Sequence, residues 1–162
     1  MWQQVVVGLV LLAAVWDIRY HKIPNFLTLA GVLAGLILHS LSAGWGGFLF
    51  SLQGAVAGLL FLLVPFALGG IGAGDVKLLA AIGALGGTAF AATVALAMAV
   101  VGGIMALAIM FWRGALGPII SRLLWDGYRI LLGLGPAGKS SGITFPYGVA
   151  IALGTGITLA VW

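Results

Sequence analysis

Gly47-Phe-Leu-Phe-Ser-Leu-Gln-Gly-Ala-Val-Ala-Gly-Leu-Leu-Phe-Leu-Leu-Val-Pro-Phe-Ala-Leu68 runs for 22 residues without a charged side chain. A helix crossing a hydrocarbon core of roughly 30 Å needs about 20 predominantly apolar residues. This stretch therefore reads as a membrane span, and the chain on either side of it has the same character. Of 162 residues, 63% are hydrophobic and 6% charged, against about 25% charged in a typical soluble protein. Ten charges, seven basic and three acidic with no glutamate, cannot build a water-facing surface. High hydrophobicity with low charge also excludes intrinsic disorder. The absence of cysteine removes disulfide scaffolds, zinc ribbons, thiol nucleophiles and iron–sulfur clusters. A net charge of +4 does not imply nucleic acid here, because the cations are scattered between apolar runs rather than clustered on one face.

Further spans are expected at about Val5–Trp16, Asn25–Leu41, Val76–Gly86, from just after Thr88 to Trp112, and Ile143–Trp162. The first lacks a basic segment before it and a small-residue cleavage site after it, so it reads as retained rather than as a signal peptide. Pro24 suits the first turn of the second span. Val76–Gly86 is short, spanning only about 17 Å at 1.5 Å per residue, and follows the glycine-rich run Gly69–Gly74, a poor helix interior. The expected fold is an all-α bundle of six transmembrane helices in a single domain over residues 1–162. Small residues such as Gly31, Gly35, Gly54 and Gly58 are expected to let its helices approach closely.

Alternation then puts Arg19, Lys22, Lys77, Arg113, Arg122, Arg129 and Lys139 on one face, while the connections at Ser42–Gly46 and Gly86–Thr88 carry no charge. The excess of Lys and Arg marks that face as cytoplasmic and both termini as outside. Between Pro118 and Leu132, Arg122, Asp126 and Arg129 share one side of a helical wheel, as in a cytoplasmic interfacial helix. Arg122 and Asp126 there are an i, i+4 pair. Trp2, Trp16, Trp45, Trp112 and Trp162 fall near span ends, as an aromatic belt would place them.

Asp17 ends the first span and Asp75 begins the fourth, both at the charged face. An acid at the membrane costs about 2.5–3.5 kcal/mol at a helix centre and calls for a partner or a function. Each could be an interfacial charge offset by a neighbouring cation. As a facing pair, one carboxyl keeps its proton while the other ionises, the division by which aspartic proteases set water on a peptide carbonyl.

Asp17-Ile-Arg-Tyr-His-Lys-Ile-Pro24-Asn25 follows a D-x5-I-P-N pattern, Gly72-Ala-Gly74-Asp75-Val-Lys77 a G-x-G-D-x-K pattern, and Pro146-Tyr147-Gly148 a P-[FY]-G pattern. Together they resemble the type IV prepilin peptidases, membrane aspartyl proteases of the GxGD class, in the short form found with tight-adherence (Flp-type) pili. The resemblance implies Asp17 and Asp75 as the catalytic dyad and Gly72 and Gly74 as a flexible GxGD loop. It implies that Pro24 and Asn25 shape the start of the second span, and that Lys77 belongs to the motif. The implied substrate is a prepilin-like precursor, with a basic leader and an apolar helix, cut at the cytoplasmic boundary of a bacterial inner membrane. Membrane lipid is the other expected partner. No cofactor, metal or nucleic acid is expected, nor the N-terminal methylating domain of the long forms.

Lys77, Arg19 and Lys22 could attract a substrate carboxylate or merely set topology, and Lys77 could favour the ionised form of the dyad. His39 reads as a lipid-interface residue and His21 as part of a wet loop; with no H-E-x-x-H pair, a metalloprotease is disfavoured. Ser140 and Ser141 lack a histidine partner at their depth, which disfavours a serine protease. The alternatives are a preflagellin-type peptidase, a proton- or cation-coupled transporter subunit using the same aspartates, and a non-catalytic assembly scaffold.

Overall fold

A computed structural model describes residues 2–112, 114, 125, 128, 132 and 147–162. Among them there is no strand. The helices are α1 (Trp2–Tyr20), α2 (Asn25–Ala67), α3 (Ala73–Trp112) and α4 (Tyr147–Val161). The first three are long and apolar enough to cross a membrane, and α4 is a shorter apolar helix. The chain forms two compact units, Met1–Gly102 with Pro146–Trp162, and Gly103–Phe145. In the second, the rings of Trp125 and Tyr128 stack 5.8 Å apart. The remainder of the expected interfacial helix, with Arg122, Asp126 and Arg129, lies outside the described residues, as do Lys139 and the expected start of the last span at Ile143.

Two long helices are broken where the sequence puts its charge-free connections. In α2, Ala43 (φ −135°, ψ 17°) and Gly44 (φ 58°, ψ −134°) are non-helical. In α3 the break is Gly87 (φ 84°, ψ 176°), backbone that is essentially restricted to glycine. Packing shows the change of direction at the α2 break. Before it, Gly31 lies against Ala81 and Gly35 against Ala84; after it, Gly54 lies against Gly83 and Gly58 against Leu79 and Ala80. The two halves of α2 thus run in opposite senses along one partner, Ala73–Gly86. At Gly35, Gly54 and Gly58 a Cβ would collide with backbone atoms of that segment, so these glycines provide the close approach expected of them.

The short span of the sequence reading is the centre of its unit. Leu78, Leu79, Ala81, Ile82, Ala84 and Leu85 are fully buried, around the whole circumference of the helix, which is why the segment is apolar on every side. Outward positions elsewhere, including Leu11, Leu12, Ile37, Leu60 and Leu96, are large, apolar and exposed. An apolar exterior around a small-residue interior is the pattern of a bundle solvated by lipid.

Breaking α3 at Gly87 deprives carbonyls of the preceding turn of helical donors. Side chains of α2 replace them: Ser51 Oγ donates to the Ala84 carbonyl at 2.8 Å, and His39 Nε2 lies 2.9 Å from the Leu85 carbonyl. His39 also packs on Phe50, ring centroids 4.9 Å apart, and Phe50 covers Gly87. His39 is therefore a helix cap, a role its sequence position did not disclose. Close by in α3, Phe90 meets both Trp2 (5.2 Å) and Trp162 (5.9 Å) edge to face.

Candidate active site

The opposite end of the first unit gathers its described charges, Asp17, Arg19, Lys22, Asp75 and Lys77. Two turns with different chemistry build it. Helix α2 ends in a Schellman motif: Gly69 is left-handed (φ 77°), its N–H donates to the Phe66 carbonyl at 2.9 Å, and the Gly70 N–H donates to the Pro65 carbonyl at 2.9 Å. The chain then enters α3 with Gly72 as the capping residue. The N–H groups of Asp75 and Val76 donate to the Gly72 carbonyl at 3.2 and 3.4 Å. The Asp75 carboxylate reaches back to accept the Gly72 N–H at 3.1 Å, the reciprocal half of a capping box. Gly74 and Asp75 thus belong to the first turn of α3. The expected glycine-rich loop is present as far as Gly72, but the helix expected from Val76 begins at Ala73: an acid three residues after a capping glycine starts it earlier. Gly74 serves close approach instead, since its Cβ would stand 3.1 Å from Cβ of Ile23.

Asp17 sits in the last turn of α1, 7% exposed, the same as Asp75. Its own helix offers a carboxylate no electrostatic support there. The support comes from α4, whose Gly148 N–H donates to Asp17 Oδ2 at 2.8 Å. Both carboxylates are thereby held by a backbone N–H at a helix N-terminus, where negative charge is favoured by about 0.3–1 kcal/mol when exposed and more when partly buried. Asp17 and Asp75 line one cleft of about 250 Å³ with His21, Lys22, Ile23, Gly72, Ala73 and Gly74. His21, in the left-handed region (φ 50°), closes the end of α1 through its N–H to the Asp17 carbonyl at 2.8 Å.

The other motif residues stand beside this cleft. Pro24 is the capping residue of α2 rather than part of its first turn, and Asn25 is the first helical residue. Asn25 Oδ1 accepts from Lys77 Nζ at 2.9 Å, and both line a second, largely apolar cleft of about 400 Å³ with Thr28, Leu29, Val32, Leu59 and Ala80. Lys77 thus tethers α3 to α2. His21, read as part of a wet loop, and Lys22, read as attracting a substrate carboxylate or setting topology, both line the cleft with the acids. The Pro146-Tyr147-Gly148 pattern gives Gly148 no role by itself; a glycine opening an apolar helix is the signal the sequence offers. No group of three or more metal-ligating side chains occurs among the described residues.

Residues 4–107 match the model of the type IV leader peptidase family. The chain is also 39% identical over 84 residues to a prepilin leader peptidase/N-methyltransferase of Bacillus subtilis, an alignment covering 49% of this chain and 32% of that relative. The chain thus matches about a third of the length of the curated relative. No solved structure matches it.

Proposed function

Because the chain belongs to the type IV leader peptidase family, we propose that it is a membrane aspartic endopeptidase that removes the leader of prepilin-like precursors, with Asp17 and Asp75 as its dyad. One observation carries the reading: two aspartates remote in sequence, both buried, line a single cleft, each with one carboxylate oxygen held by a backbone N–H. A water between them is activated by the ionised carboxylate, which takes its proton as the oxygen attacks the scissile carbonyl. The protonated carboxyl donates to the developing oxyanion. Collapse of the tetrahedral intermediate breaks the C–N bond, with a proton delivered to the departing amine. No acyl-enzyme forms.

The neighbouring apolar cleft suits the apolar segment of a precursor whose scissile bond lies at the aspartates. The Flp-type class of precursor, a bacterial inner-membrane setting and a cytoplasm-facing site belong to the same proposal. They are supported by the order of the motifs and by the gathering of described charges at the aspartate end. Co-expression with a Flp-type prepilin tests it: leader loss is expected with the native chain and absent with Asp17→Asn or Asp75→Asn. Cleavage surviving either substitution removes the dyad.

A further inference from the structure

Asp75 takes its backbone donor from its own turn, three residues away, whereas Asp17 takes its donor from a helix 131 residues further along the chain. That donor, Gly148, lies outside the stretch matched by the family model. It is the second residue of α4, so its N–H has no acceptor within its own helix and is directed at Asp17. Substitution there is not neutral: a Cβ would stand 2.8 Å from both Cβ and Oδ2 of Asp17, closer than side-chain carbons approach other heavy atoms. Position 148 therefore offers a donor and room at the same point.

We propose that Gly148 is a positioning residue of the active site, whose N–H and missing side chain together fix the Asp17 carboxylate in the orientation that serves water in the cleft. This rests on the reading of Asp17 as a member of the dyad. With Oδ2 engaged by α4, Oδ1 is the oxygen free of that bond. Asp75, His21 and Lys22 are the titratable groups that line the cleft with Asp17; the Gly148 amide donates to its side chain. A methyl group at 148 pushes the carboxylate off this donor, its nearest contacts all being atoms of Asp17.

The test uses the purified full chain in detergent with a prepilin substrate, and three alanine substitutions in one helix. Gly148→Ala is expected to lower kcat by about 10- to 100-fold, the scale of a misplaced catalytic group, with KM within about twofold. It should also displace the limb of the kcat–pH profile set by the dyad. Gly154→Ala, whose Cβ would meet the Met98 nitrogen at 2.8 Å, should reduce the folded fraction and leave kcat per folded molecule and the pH profile unchanged. Gly156→Ala, with nothing within 4 Å, should change neither. Native kcat in folded Gly148→Ala overturns the inference, as does a Gly154→Ala protein with the same kinetic defect. If Gly148→Ala does not fold, 15N-glycine NMR decides: the Gly148 amide proton should move upfield on Asp17→Asn, and an unmoved resonance overturns the inference. Cleavage by Asp17→Asn itself would instead sink the dyad reading, so the two failures are separate.

Discussion

Lys77 Nζ donates to Oδ1 of Asn25 at 2.9 Å, joining the start of α3 to the first residue of α2 across 52 positions of sequence. The bond is exposed, and its worth is about 0.5–1.5 kcal/mol. Lys77→Met and Asn25→Ala should therefore destabilise the protein by similar small amounts, and the double variant by little more than either alone. A double-mutant cycle on thermal unfolding in detergent measures the coupling; strictly additive losses would show that the contact contributes nothing.

Asp75 has two roles that substitutions can separate. Asn keeps an oxygen for the Gly72 N–H, so Asp75→Asn should be inactive yet nearly as stable as the native chain. Asp75→Ala loses the cap as well and should cost about 0.5–2 kcal/mol in addition. Equal unfolding midpoints for the two variants would remove the capping role.

His21 is a non-glycine residue in the left-handed region (φ 50°). Such backbone costs about 1–2 kcal/mol for an L-residue and almost nothing for glycine. His21→Gly is expected to raise the unfolding midpoint relative to His21→Ala. Prepilin cleavage by His21→Gly within a few-fold of native would confine His21 to a structural part in the cleft wall; a complete loss would give it a chemical one.

Ser51 is fully buried and caps the Ala84 carbonyl at the α3 break. Ser51→Ala leaves that carbonyl without its donor in a dry interior and should cost about 1–3 kcal/mol. Thermal unfolding checks it. The neighbouring His39 contact makes the loss larger in the double variant with His39→Leu, which strips the Leu85 carbonyl as well.

Glycines divide by what surrounds them. Gly54→Ala drives a methyl group into the Gly83 backbone and should cost about 1–3 kcal/mol as overpacking. Gly8→Ala, with open space around it, should stabilise α1 by about 0.5–1 kcal/mol. Comparable midpoints for both would contradict the close packing of α2 on α3.

Much of this architecture is written in composition and punctuation. The charge-free connections at Ser42–Gly46 and Gly86–Thr88 coincide with the breaks at Gly44 and Gly87, because only glycine holds those dihedrals. Asp17 and Asp75 are legible as a pair because buried acids are too costly to be incidental. Less legible are contacts made through backbone atoms. His39 and Ser51 cap carbonyls, Gly148 offers an amide, and a carbonyl or an amide carries no residue identity. The glycine-rich loop is legible as far as Gly72, but its end is not, because the acid that follows supplies a cap and starts the helix at Ala73. Val76–Gly86 is hard to read from sequence for another reason: a helix surrounded on every side has no polar face to set its phase.

The bond between Gly148 and Asp17 also sets a schedule. A ribosome delivers Asp17 and Asp75 early and the amide that steadies Asp17 only 131 residues after it. A growing chain that has inserted α1 to α3 holds both acids but not their final alignment. On the proposed dyad, proteolytic competence would arrive only with α4, and a product interrupted before it would hold both acids without the amide that steadies Asp17.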